Sequence, residues 1–367
     1  MKIMKVWAEA YVCQQPVPMR TGDDSYSAMH FSIVRVTTNQ GIDGFGLLYA
    51  TNLPGGAETI RSFVAGLEPL LVGKHPFDTE RHFANLYRPA TMGRRSLTTR
   101  IIGAVDLALH DIKGKALGLP LWRLLGGFRS AIPAYVAGGY YSDGKGLKEL
   151  AIEMEGHLRA GATAVKMKVG RATVKEDAER VRVVRDAIGP DVRLMVDGNS
   201  AHTLPEAIDF ARRIERYEPY WYEDPLGVDN YRGHSELQRC IRIPIATGEN
   251  EYTRYGFRDL IEHQAAQILC PDAQRMGGVT EFMKACALAQ AHDIPIATHG
   301  NPEIHAHLAC AIPNGLIVEY YLSNTDPTWG YLFDQHLRLQ DGQVQLSDRP
   351  GWGVALNEDW LRRQRVG

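Results

Sequence analysis

The chain has 367 residues, enough for two domains or for one large barrel with additions. Hydrophobic residues make up 44% and charged residues 23%, with a formal net charge of −2, which gives no electrostatic basis for nucleic acid or an anionic membrane surface as partner. No run approaches a transmembrane span, the start Met1-Lys2-Ile3-Met4-Lys5-Val6 lacks a signal-type apolar core, and the scattered Cys13, Cys240, Cys270, Cys286 and Cys310 show no CxxC spacing, so a cytoplasmic protein with reduced thiols is expected.

Residues 3–12, 30–38 and 42–49 read as antiparallel strands, the last two joined by a turn at Asn39-Gln40-Gly41. Residues 13–27, polar and rich in turn formers (Pro16, Pro18, Gly22, Asp23, Asp24), are expected to be a mobile lid rather than a plain connector. Residues 57–71 and 78–87 are amphipathic helices. A basic, flexible stretch (88–99) leads to a longer helix, in which Ile101, Ala104, Val105, Ala108, Leu109 and Ile112 form an apolar stripe. Asp106 and Asp111 in that helix read as structural or solvated. Gly118-Leu119-Pro120 stops it, and Leu124-Leu125-Gly126-Gly127 closes an N-terminal unit.

From residue 131 the pattern becomes strand–helix alternation. Eight strands are expected, at 132–136, 164–169, 192–196, 220–222, 243–246, 266–269, 294–297 and 316–320, with helices such as 147–158, 174–187, 205–216 and 279–292 between them. Eight parallel strands with seven visible crossovers predict a (β/α)8 barrel whose last helix is lost or altered. A doubly wound open sheet would want a glycine-rich phosphate turn after its first strand, and Gly138-Gly139 is too weak to serve. In the tail, residues 337–339 and 343–346 look like strands that return to the N-terminal unit.

The strand ends carry the chemistry, because a barrel of this kind builds its site at the carboxyl ends of its strands. Asp197, Glu223 and Glu249 follow three successive strands at equal intervals. Three converging carboxylates with no intervening cysteine or histidine suit a hard divalent cation, Mg²⁺ above all; the alternative is that each caps a helix or pairs with an arginine. Lys166 and Lys168, two apart on a strand, point to one face, and their mutual repulsion is expected to lower one pKa until that amine serves as a base. Asp272 at the sixth strand end can orient His299 at the seventh, fixing its tautomer and raising its basicity. Lys168 and His299 would then face a proton α to a carboxylate from two sides. The resulting enediolate would be stabilised by the cation and Lys166, with a protonated Glu319 at the eighth strand end as hydrogen-bond donor.

These residues resemble the enolase superfamily, specifically its mandelate racemase subgroup, over nearly the whole chain. The likeness includes Asp106-Leu107-Ala108-Leu109-His110-Asp111, Gly118-Leu119-Pro120-Leu121 and the tail motif Pro350-Gly351-Trp352-Gly353. The resemblance implies an α/β fold: a (β/α)7β modified TIM barrel (128–325) with an N-terminal α+β capping domain (1–127), completed by a C-terminal segment (326–367) that packs back on the cap. It implies Asp197, Glu223 and Glu249 as Mg²⁺ ligands, Lys168 and the His299–Asp272 dyad as acid/base groups, Lys166 as the carboxylate-polarising neighbour and Glu319 as enediolate donor. Asn199 falls where the family often has a site amide. Substrate-selecting lids would be residues 14–29 and 89–97, and a homo-oligomer is implied.

The subgroup leaves the reaction open among dehydration, racemisation or epimerisation, and lactone cycloisomerisation. Polar lid residues (Gln14, Gln15, Arg20, Asp23, Asp24, Ser25, Arg94, Arg95) favour a hydroxylated acid over an apolar one and point to a sugar-acid dehydratase. Arg20, Tyr140, His202 and Trp329 are the candidate substrate-binding residues beside Asn199. A barrel that only binds a ligand would be expected to lack part of this set, and none of it is missing.

Overall fold

The computed structural model describes residues 1–49, 55–323, 325 and 327–366. Three antiparallel strands, β1 (Ile3–Arg20), β2 (Ser25–Thr38) and β3 (Gly44–Tyr49), form a meander in that order. β1 and β2 pair from Ile3↔Thr38 to Arg20↔Ser25. The segment expected as a mobile lid is therefore the far half of a long hairpin. The register shifts between Gln14 and Met19, where Pro16 and Pro18 have no N–H to give a ladder, and a bulge absorbs them without ending the strand.

Helices Gly56–Leu71 and Leu97–Leu117 cover this sheet. The apolar stripe of the longer helix is buried, and so are Ile102, Leu107 and both aspartates, because the helix lies between the sheet and the barrel. Strand β3 crosses it at backbone contact: a Cβ on Gly46 would fall 1.8 Å from the Ala104 carbonyl oxygen. Asp106 binds the barrel side, accepting from the Thr280 N–H (2.9 Å) and Oγ1 (2.6 Å).

Eight parallel strands close the barrel: β4 (Ala131–Gly138), β5 (Ala164–Lys168), β6 (Arg193–Asp197), β7 (Trp221–Glu223), β8 (Ile245–Thr247), β9 (Ile268–Leu269), β10 (Ile296–Thr298) and β11 (Gly315–Tyr320), with β11 paired to β4. Helices connect successive strands. The helix Val174–Ile188 begins at a capping box, in which Glu176 N–H donates to Thr173 Oγ1 and Thr173 N–H to Glu176 Oε2. Buried Tyr135, Met195, Trp221, Cys270 and Ile317 belong to the cluster that fills the barrel interior.

The tail departs from expectation. Its strands β12 (Leu339–Gln340) and β13 (Gln343–Gln345) form a hairpin, and β13 pairs antiparallel with β4 at Val344↔Ile132 instead of joining the cap. What reaches the cap follows them: Trp352 N–H donates to Asp111 Oδ1 (3.2 Å), and Val366 N–H donates to the Ala10 carbonyl (3.0 Å). Asp326, where the tail was placed, lies outside the described residues. None of the described helices is long and apolar enough to cross a membrane.

Candidate active site

Parallel pairing in register delivers the strand-end side chains to one mouth: Lys168 lies beside Asp197, and Asp197 beside Glu223. Lys166 and Lys168 both turn inward and are buried. Lys166 Nζ lies 2.7 Å from Glu223 Oε1, 2.9 Å from Glu319 Oε1 and 3.3 Å from Asp197 Oδ2, while Lys168 Nζ lies 2.5 Å from Asp197 Oδ2. The surrounding carboxylates work against the expected lowering of a lysine pKa. Burial does push both amines down, but for Lys166 the carboxylates of Glu223 and Glu319 and for Lys168 that of Asp197 outweigh it, and both are raised.

Asp197, Glu223 and Glu249, all buried, each offer one oxygen within 4.8 Å of the other two. Their remaining contacts hold them in place. Asp197 Oδ1 accepts from Asn199 N–H (3.0 Å), Glu223 Oε2 from Trp221 Nε1 (2.9 Å) and Glu249 Oε1 from Arg275 (3.1 Å). Burial and neighbouring carboxylates push Glu223 up to about 7 despite Lys166. Glu249 is held at about 2, burial notwithstanding, by His299 and Arg275. An all-oxygen, crowded and desolvated trio fits a hard divalent cation.

His299 Nδ1 donates to Asp272 Oδ2 (2.9 Å), so Nε2 is left facing the mouth, 3.2 Å from Glu249 Oε2. Burial lowers His299, but Glu249, Glu319 and the Asp272 bond raise it further. Glu319 was expected to be protonated. Burial favours that form, yet Lys166, His299 and Lys168 hold the carboxyl down to about 2, and its Oε2 accepts Gly300 N–H (2.8 Å). Its Oε2 is thus an acceptor.

A cavity of about 1000 Å³ opens above these groups. Thr21, Asp23, Asp24 and Tyr26 of the hairpin, Arg95 and Arg100 of the helical cap, and Tyr140, Lys168, Asn199, Glu249, Asp272, His299 and Trp329 of the barrel side and tail line it. Asp197, Glu223, Lys166 and Glu319 lie buried beneath its floor.

Two expected substrate contacts are not on the cavity wall. Arg20 is drawn outward to Asp143 (2.5 Å), because the register of the hairpin leaves it at the last pair of the ladder. His202 is buried behind the wall, bonded through Nδ1 to Tyr222 Oη (2.5 Å) and stacked on Phe210. In the second lid, Arg94 pairs with Asp259 (3.0 Å), and Arg95 with Glu251 and Asp229.

Sequence reasoning passed over Arg275 and His305. Arg275 stands one helical turn after Asp272, a spacing that could have revealed it; it reaches both Glu249 (3.1 Å) and Asp272 (3.4 Å). His305, in helix Pro302–Ala311, lies 3.2 Å from Asp272 Oδ1 and carries no local signal.

Residues 5–126 match the family described as mandelate racemase/muconate lactonizing enzyme, N-terminal domain, and residues 149–360 match enolase C-terminal domain-like. The chain is 33% identical to a 3,6-anhydro-alpha-L-galactonate cycloisomerase of Streptomyces coelicolor, over 96% of this chain and 97% of that protein. It is 33% identical to an L-talarate/galactarate dehydratase of Salmonella typhimurium, over 90% of this chain and 81% of that one. Among solved structures, a racemase from Streptomyces coelicolor A3(2) with bound magnesium superposes with a TM-score of 0.92 at 30% identity, covering 99% of this chain and 100% of that one. With both domains matched and its barrel and cap laid out as described, the chain belongs to the mandelate racemase/muconate lactonizing enzyme family of the enolase superfamily.

Proposed function

We propose that the protein is a hydro-lyase that removes water from a sugar acid, an aldonate or aldarate, to give a 2-keto-3-deoxy acid. The observation that carries this reading is that Lys168 and His299 line one polar cavity from well-separated strands, with the carboxylate trio between them. Asp197, Glu223 and Glu249 would hold Mg²⁺, which when bound supplies positive charge for the substrate carboxylate. A solved relative with bound magnesium supports that choice of ion.

The chain's own groups then divide the proton work. One of Lys168 Nζ and His299 Nε2 takes the α-proton, and the other gives a proton to the β-hydroxyl as its C–O bond breaks and water leaves; the enol that remains becomes the ketone. The configuration at the α-carbon decides which residue abstracts. Asp272 keeps a proton on His299 Nδ1, so that exchange takes place at Nε2. Lys166, held by Glu223 and Glu319 beneath the cavity floor, would add positive charge under the substrate carboxylate. Asn199, Tyr140 and Trp329 contribute to the wall that holds the hydroxylated chain.

A second reading shares the first proton transfer and ends in cycloisomerisation or racemisation. The cycloisomerase from Streptomyces coelicolor, alike over 96% of this chain, supports it. Assay of 2-keto acid formation across mono- and diacid sugars with Mg²⁺ tests the choice. A strong hit establishes dehydration. Exchange of the α-proton in D₂O without keto product overturns it in favour of the second reading.

A further inference from the structure

Four cations line the cavity among the described residues, and three are already committed. Lys168 is held by Asp197, Arg275 by Glu249 and Asp272, and Arg95 by Glu251 and Asp229. Arg100 differs: among the described residues no carboxylate comes within 4.0 Å of it, although five acidic residues share the cavity wall.

Its orientation is nonetheless fixed. Arg100 Nε donates to Tyr252 Oη (2.5 Å), and its guanidinium lies over the Tyr252 ring, 5.6 Å from the centroid. The single bond at Nε leaves the two terminal nitrogens for a ligand, the paired geometry that matches a carboxylate. Tyr252 follows Glu249 by three residues, so Arg100 sits above the loop after β8. The hairpin tip docks elsewhere on the rim, with Gly22 against the Gly198 and Val169 carbonyls after β6 and β5. That tip brings Asp23 and Asp24 to the cavity, repelling an anionic end on its side.

We infer that Arg100 receives a second, distal carboxylate, and that the substrate class is the diacid sugars rather than the matching monoacids. This rests on the reading of the cavity as a sugar-acid site; the floor takes one carboxylate, and Arg100 is the remaining anion receptor. Arg20, Arg94 and Arg95, the arginines of the two lid segments, are each already paired with carboxylates.

The test uses pairs of six-carbon sugar acids of one configuration, with the distal carbon as carboxylate or as hydroxymethyl. Each is assayed with the Mg²⁺-loaded enzyme for 2-keto product and for α-proton exchange in D₂O. The wild type should favour diacids in kcat/KM by roughly tenfold or more, because a carboxylate can form the paired, charge-assisted bonds to Arg100 that a hydroxymethyl group cannot. Arg100→Met should collapse that ratio mainly through KM, and Arg100→Lys should restore only part of it. Diacid exchange without keto product sinks dehydration but supports this inference. Equal use of both acids, exchange with monoacids alone or with neither, or an unchanged ratio in Arg100→Met would each overturn it.

Discussion

His305 lies beside Asp272 on the side away from His299: its Nε2 accepts the Ala273 N–H (3.0 Å) and lies 3.2 Å from Oδ1, while His299 Nδ1 bonds Oδ2 at 2.9 Å. The Gln274 N–H also donates to Oδ1 (2.8 Å), and these partners hold Asp272 well below the usual carboxylate range against the push of burial. Asp272→Asn should therefore act through His299. Removing the negative charge lowers the basicity of His299, so kcat should fall and the His299 limb of the pH–rate profile should move toward lower pH. An unaltered profile would take the dyad out of the mechanism.

Lys168→Ala and His299→Asn address the two faces separately. Each should reduce turnover by roughly 10²–10⁴-fold while the thermal transition stays cooperative, since both side chains line a cavity and neither supports the core. Near-normal turnover in either variant would rule out the arrangement with a base on each face.

Removing one carboxylate of the trio should be visible without any substrate. Mg²⁺ should raise the melting temperature of the wild type in a concentration-dependent way, by about 2.7 kcal/mol of stability at a hundredfold excess over Kd. Glu223→Gln should lose that response. Retention of the full shift would place the ion elsewhere.

His307 gives a pH signature unrelated to catalysis. Its Nδ1 accepts the Trp122 N–H (3.2 Å) and its Nε2–H donates to the Trp352 carbonyl (2.9 Å), which uses the neutral ring on both sides. Burial lowers it from 6.5 to about 4, although the Trp352 bond opposes this. The unfolded chain thus takes up a proton that the folded one refuses between those values. Stability is complete above pH 6.5 and declines by about 1.4 kcal/mol per pH unit as pH falls toward 4. His307→Gln should flatten that part of the curve in urea unfolding at stepped pH; an identical slope would refute the assignment.

Much of the barrel was legible because its period is local. Apolar runs ending in Asp197, Glu223 or Glu249 announce strand ends, and parallel pairing does the rest. What escaped depends on residues far apart in the chain. Two neighbouring lysines suggest repulsion, but the carboxylates that decide the charge of Lys166 come from β7 and β11. Arg20 looks like a lid residue until the ladder places it at a strand end beside Asp143. Residues 13–27 read as a loop because prolines and aspartates mark turns, whereas a bulge lets the strands continue past them. The hairpin β12–β13 carries an alternation that fits any sheet edge, and only the closed barrel shows that the edge is β4.

The hairpin tip is also fastened to the rim of the mouth. Arg20 and Tyr141 exchange two main-chain hydrogen bonds (3.1 and 3.0 Å), and Gly22 sits so close that a Cβ there would come within 2.4 Å of the Gly198 oxygen. Parting those two bonds costs about 1–3 kcal/mol, so this edge stands open in only a minority of molecules at any instant. Those two main-chain bonds form a backbone latch that any outward movement of the hairpin at the mouth must break. Hydrogen exchange at the Arg20 and Tyr141 amides reports directly on how often that latch lifts.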